Sequence, residues 1–202
     1  MSEGERERDR TERDVRAACD RGDHTAAAAL IVRGYGAEVG AYLGSIVRAS
    51  ADDAAEAFSL WCEDVVRGLP GFRFGASVRT WVYTLARHAA ARRARGDGRR
   101  ARRISLPGEL DDVVAQARTA TVEYLRTAVR DKLAAARAAL SDDDRELLYL
   151  RVDRQLPWRE IAVIMSDEGA APDDDAVRKL DQALRKRFES VKRRLKAKLE
   201  AG

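Results

Sequence analysis

Apolar residues return every third or fourth position along most of this 202-residue chain, a spacing that suits packed helices and little else. Between residues 77 and 94 the stripe is Val78, Trp81, Val82, Leu85, Ala86 and Ala89. A second stripe runs through Phe58, Trp61, Cys62, Val65, Val66 and Leu69, and a third from Leu30 and Ile31 through Tyr35, Val39, Tyr42 and Leu43 to Ile46 and Val47. Ala, Arg, Leu and Glu are abundant and only 4 residues are proline, which removes the commonest helix breaker. The expectation is an all-α protein.

The helices fall into two blocks. Residues 1–13 are charged, with no stripe, and read as frayed; ordered helix is expected from about Asp14. Gly34, Gly36, Gly40 and Gly44 interrupt the 24–48 pattern and mark either a break or a close helix contact. A next helix opens near Asp52, a suitable N-cap, and ends at "GLPGF". Another follows from about Ser77. Residues 14–95 thus form an N-terminal domain, and residues 96–120, with Gly96, Gly98, Pro107 and Gly108, a flexible basic linker. Residues 121–200 form a second domain. Its stripe begins with Val122, Leu125, Val129, Leu133 and Leu140. A helix then opens at Ser141, and another opens with Pro157 in its first turn and Trp158, Ile161, Ala162 and Met165 on one face. Last comes a long basic helix capped among Asp173 to Asp175. It buries Val177, Leu180, Leu184, Phe188, Val191, Leu195 and Leu199. A short helix, a turn and a long basic helix is the helix-turn-helix pattern.

Net charge is only +4, but it is unevenly placed. Residues 92–103 hold seven arginines against Asp97, and residues 185–198 hold eight Lys or Arg against Glu189. Such runs fit a polyanion partner, and from charge alone they fit a solvated helix face equally well. The segment "FRFGASVRTWVYTLARHAAARRARGDGRR" adds aromatics to the charge. Arg79, Tyr83 and Arg87 make one row away from the apolar stripe, and Thr80, Thr84, His88 and Arg92 the next. Guanidinium groups beside aromatic and hydroxyl groups suit backbone contact and base stacking. Trp81 reads as core, and Tyr83 fits either role.

Enzyme chemistry finds no support. Cys19, Cys62, His24 and His88 lack metal-ligand spacing, no cofactor is implied, and no Gly-rich phosphate loop is present. Cys62 as a nucleophile or His88 as a general base would need an orienting partner, and no sequence signature supplies one. No apolar run approaches the ~18 residues of a membrane span and no signal-peptide core opens the chain, so a cytoplasmic protein without membrane insertion is expected.

"RGLPGFRFGASVRTWVYTLARHAA" resembles the promoter-melting region of the extracytoplasmic-function group of bacterial sigma factors, whose pattern there is roughly L-P-x-F-R-G-x-x-S-F-R-T-W-L-Y-x-I-A-R-N. "LSDDDRELLYLRVDRQLPWREIAVIM" and "AVRKLDQALRKRFESVKRRL" resemble the same family's promoter-upstream helix-turn-helix. The resemblance covers about residues 20–198. It implies a subunit that binds core RNA polymerase and directs it to −35 and −10 promoter elements. Arg73, Phe74, Gly75, Ala76 and Ser77 would capture an unstacked −10 base, with Arg79, Tyr83, Arg87, His88 and Arg92 along the melting strand. Arg178, Lys179, Gln182, Arg185 and Lys186 would read the −35 element. Glu56, Ser59, Leu60 and Glu63 would grip the clamp helices of the polymerase β′ subunit, and the implied partners extend to the β flap and an anti-sigma protein. The chain departs from the pattern with Ser59 and Leu60 in place of a Gln-Glu pair, Phe74 in place of Gly, His88 in place of Asn and Pro157 in place of a Ser cap. The turn "SDEGAAPDD" is also lengthened. The alternative is a helix-turn-helix regulator or adaptor that binds polymerase or an anti-sigma partner without melting promoters.

Overall fold

The computed structural model describes residues 3–47, 50–96, 110, 112–117, 119, 137, 139–166 and 173–200. Every regular element among them is helical. In chain order these are α1 (Glu3–Asp20), α2 (His24–Ile46), α3 (Ala51–Gly68) with a 3-10 turn (Leu69–Gly71), and α4 (Val78–Ala94). Then come α5 (Asp142–Leu148) running into a π turn (Tyr149–Asp153), α6 (Trp158–Ile164) and α7 (Asp174–Glu200). The chain divides into two compact units, Met1–Arg126 and Thr127–Gly202. Val122, Leu125, Val129 and Leu133, the run's Arg99, Arg100, Arg102 and Arg103, most of the turn before α7 and the Leu199 side chain lie outside the described residues.

In the first unit α2, α3 and α4 pack on one another around Ile31, Tyr35, Tyr42, Leu43, Phe58, Trp61, Val65 and Val82, all inaccessible to solvent. Trp61 is its largest fully buried side chain, and its indole N–H donates to the Val82 carbonyl at 3.1 Å, which registers α3 on α4. Burying about 200 Å² of such a ring stabilises by about 5 kcal/mol at ~25 cal/mol per Å². The α3 cap is Ser50, whose hydroxyl accepts from the Asp53 amide at 3.0 Å; the cap expected at Asp52 lies two residues inside the observed start. α3 ends at Gly68 and passes into the 3-10 turn that holds Pro70, and glycine is needed at 68 because a Cβ there would sit 2.8 Å from the Trp81 ring.

Two expectations change. The first concerns residues 3–13, which are helical rather than frayed. α1 buries only Val15 and Ala18, so hydrophobic periodicity carries little signal for it. What holds it is close contact and one carboxylate. A Cβ on Gly34 would come within 2.7 Å of Thr11 Cγ2, so glycine lets α1 approach α2. The α2 glycines therefore mark close contact, not a break: α2 runs unbroken across them, and a Cβ on Gly36 would touch Ala117 at 3.4 Å. The second change is in the 96–120 segment, whose described residues 110, 112–117 and 119 are helical, with Leu110 buried.

In the second unit Ser141 caps α5, its hydroxyl accepting from the Asp144 amide at 3.3 Å. Asp173 caps α7, accepting from the Asp175 and Ala176 amides at 3.1 and 3.4 Å. Pro157 stands at the N-cap of α6, one position before the helix it was expected to begin. α7 lays Val177, Leu184, Phe188, Val191 and Leu195 against the unit's core.

Candidate nucleic-acid interface

The stretch from Phe72 to Ser77 is a loop whose aromatics build a short stack. Phe72 lies on Trp81 with ring centroids 4.5 Å apart and planes 19° from parallel. Phe74 tilts against Phe72 at 4.6 Å, and the Arg16 guanidinium of α1 stands 4.7 Å over the Phe74 ring. Phe74 has φ +56°, a left-handed conformation that costs a bulky residue about 1–3 kcal/mol. The resembled pattern has Gly there, where such a backbone is free of strain. This chain keeps the conformation and adds a ring to the stack. Arg73, Gly75 and Ser77 are exposed, Phe74 and Ala76 half-buried, and the space above Gly71 and Gly75 is open.

The start of α4 is closed by a residue far away in sequence. Glu12 Oε2 accepts from the Val78 amide at 2.8 Å, and Oε1 accepts from the Arg79 amide at 3.0 Å. Ser77 Oγ accepts from the Thr80 amide at 3.0 Å. The amides at the positive end of the helix are thus satisfied by a carboxylate and a hydroxyl. A phosphate finds no vacancy there, so any backbone contact falls to side-chain cations. Glu12 also accepts from the Tyr35 hydroxyl at 3.0 Å, and burial, then Glu12, pushes that hydroxyl well above its ordinary pKa.

Along α4 the row expected to face outward turns inward. Tyr83 is fully buried, edge-on to Tyr42 at 5.0 Å, and Thr80 and Thr84 are buried with it. The Tyr83 hydroxyl donates to Glu38 Oε1 at 2.8 Å, and Arg79 Nε donates to the same oxygen at 2.9 Å. Both faces of α4 therefore pack, one on α3 and one on α2. Periodicity missed the second because Thr, Tyr and Arg do not count as apolar. Farther along, Arg87 and His88 are half-buried. Arg92 forms a two-pronged pair with Asp64, Nη1 donating at 3.0 Å, and Arg93 pairs with Asp53. On α3, Glu56 and Ser59 are half-buried, while Leu60 and Glu63 are buried, so half of the expected polymerase-gripping set is covered.

In the second unit Arg178, Lys179, Gln182, Arg185 and Lys186 are all exposed along α7. Arg178 pairs with Asp175 and Arg185 with Asp181, both on the helix surface. Exposed pairs of this kind are screened by solvent and add little, so a phosphate can displace the acid. Arg185 also lies 5.3 Å from the Trp158 ring, with Arg151 at 4.9 Å. An open concavity of about 260 Å³ between α6 and α7 is lined by Arg159, Asp174, Val177, Arg178 and Asp181. Two cations of the basic run point inward instead. Arg187 Nε and Arg194 Nη2 each donate to the buried Asp144 at 2.6 Å. Burial opposes ionisation of Asp144, but hydrogen bonds from Arg187, Arg194 and Ser141 outweigh it and hold its carboxyl below the usual range.

Sequence reasoning missed Glu12, Arg16 and Glu38. Each acts on residues at least 23 positions away, and no local pattern marks such a partner. Cys19 and Cys62 are free thiols. Among the described residues no cluster of His, Cys, Asp and Glu is arranged to hold a metal ion, and no helix is long and apolar enough to cross a membrane. Compared with known proteins, the chain matches no family model, no curated protein and no solved structure.

Proposed function

We propose that the chain is a promoter-specificity subunit of bacterial RNA polymerase, of the extracytoplasmic-function sigma kind. The observation that carries this reading is the stack Trp81–Phe72–Phe74 set in an open loop that leads straight into a helix ending in arginines. Stacked rings beside guanidinium groups suit an unpaired strand, since every base has a face to stack and every nucleotide a phosphate to neutralise. The second unit complements it. The exposed Arg178, Lys179, Gln182, Arg185 and Lys186 suit a duplex groove, Arg toward guanine edges, Gln toward adenine edges and Lys toward phosphate. In this reading α6 and α7 act as a helix-turn-helix on the −35 element, while the loop and α4 hold the opened −10 strand. α3 meets the polymerase β′ clamp helices. The role asks no bond chemistry of this chain; it acts by binding, in the cytoplasm, and an anti-sigma protein would hold it off.

One observation favours the alternative of a regulator or adaptor that does not melt promoters. Tyr83 and Leu60 are buried, and Arg79 and Arg92 are held by acids, so part of the expected contact set must be released before use. Reconstituted transcription separates the two. Core bacterial polymerase is supplied with this protein on a library of promoter fragments. Protein-dependent transcripts that start downstream of a shared two-part motif support the sigma reading. Polymerase binding without transcripts supports the adaptor, and absence of polymerase binding contradicts both.

A further inference from the structure

The loop that carries the proposed base-capturing rings is held in part from outside, by two side chains of α1. Its anchors on either side are the 3-10 turn at Leu69–Gly71 and the first turn of α4. That first turn is fixed by Glu12, which reaches the Val78 and Arg79 amides from α1. Within the loop, Phe74 sits in a left-handed conformation it would not adopt unaided, and its ring carries the Arg16 guanidinium at 4.7 Å. Glu12 and Arg16 are one helical turn apart on α1, so they face the same way. α1 is in turn seated on α2 through the close approach of Thr11 to Gly34. The charged N-terminal helix thus holds the α4 end of the loop through Glu12 and the Phe74 ring within it through Arg16.

We infer that Glu12 and Arg16 are positioning residues for single-strand capture: Glu12 sets the start of α4, and Arg16 presses the Phe74 ring into the stack that receives an unpaired base. This rests on the function proposed above. It adds that α1 controls the same site, since any partner that lifts α1 would strip Glu12 from the Val78 and Arg79 amides, leaving only the Ser77 cap, and release Phe74 at the same time. Stacking needs rings held at a fixed angle before the base arrives, and a loop left to itself would lose that order on each encounter.

The test uses the full-length protein and two probes: a fluorescein-labelled single strand carrying 2-aminopurine, of about 15 nucleotides to span the site sizes such grooves use, and a labelled duplex. Quenching of 2-aminopurine reports base stacking, which a merely structural residue would not move while the chain stays folded. Arg16→Ala and Glu12→Ala are expected to weaken single-strand binding about tenfold and abolish the quench. Duplex binding and helical circular dichroism should stay unchanged. Glu12→Gln, which keeps an acceptor, should recover part of the loss. Arg10→Ala removes the same charge from an exposed pair with Asp14 and should behave as wild type. If Glu12→Ala fails to fold, Arg16→Ala alone decides, because Arg16 is exposed. Wild-type quenching and affinity in Arg16→Ala, or an equal loss in Arg10→Ala, overturns the inference while leaving the proposed function standing. A wild-type protein that neither binds nor stacks the single strand strikes the proposed function itself, and the inference with it.

Discussion

Helices α4 and α7 both end in runs of arginine or lysine, and they handle those cations in opposite ways. On α4 the named cations are absorbed by the fold: Arg79 with Glu38, Arg92 with Asp64, Arg93 with Asp53, each from a neighbouring helix and each largely shielded from solvent. On α7 the exposed Arg178 and Arg185 pair with Asp175 and Asp181 of the same helix, and both guanidinium groups reach solvent. The difference teaches that a basic sequence is not by itself a basic surface. α7 presents a surface that can meet a duplex as it stands. α4 presents its aromatic loop directly, while Arg79, Arg92 and Arg93 become available only if acids on α2 and α3 give way.

The largest expected effect lies where α7 does use cations internally. Asp144→Ala removes the buried carboxylate that accepts from Arg187 and Arg194, and the loss of two charge-assisted hydrogen bonds should cost about 3 kcal/mol. A urea melt should show this as a lowered midpoint for the second unit. The same site carries a pH dependence. Because the folded Asp144 carboxyl lies below its ordinary range, its stabilisation is complete above the ordinary carboxyl pKa of about 4 and is lost as pH falls through the folded value. Asp144→Asn should remove that acid-side slope; an unchanged slope would show that the two arginines do not depend on the charge.

Glu38→Ala comes next and bears on α4. It removes the acceptor shared by Arg79 and the buried Tyr83 hydroxyl, at an expected cost of about 2–3 kcal/mol in the first unit. If the absorbed cations of α4 are what separates it from α7, freeing Arg79 should also raise non-specific DNA affinity, read by fluorescence anisotropy. Gly34→Ala should cost about 1–2 kcal/mol through the clash with Thr11, and Thr11→Ala in the same chain should relieve most of it. The smallest effect on stability, within about 0.5 kcal/mol, is expected for Lys179→Ala on the exposed face of α7. Its signature is a duplex affinity whose salt slope is lower by about 1.

The same contrast explains what could be read from the sequence. The all-α class, the spans of α4 and α7, the helix start near Ser77 and the caps at Ser141 and Asp173 followed from periodicity and cap chemistry, which are local, whereas periodicity left open whether α2 runs unbroken across its glycines. The exposure of Arg178, Lys179 and Lys186 was legible too, since α7 has one apolar stripe and the rest faces water. α1 was not, because a helix burying two small side chains among charges has the composition of a disordered tail. Nor was the second buried face of α4. Its members Thr80, Tyr83 and Thr84 are buried by meeting Tyr42 and Glu38 on α2, and pairing across helices leaves no trace in spacing.

The most direct test of the division between the two regions is permanganate footprinting of promoter fragments recovered with core polymerase and this protein. Arg87→Ala, on the strand-facing side proposed for α4, is set beside Lys179→Ala on α7. The account predicts that Arg87→Ala keeps polymerase bound to the fragment but loses thymine reactivity around the −10 element, whereas Lys179→Ala weakens the complex at raised salt and leaves the reactivity of the surviving complexes intact. Equal loss of binding and of melting in both variants would contradict it.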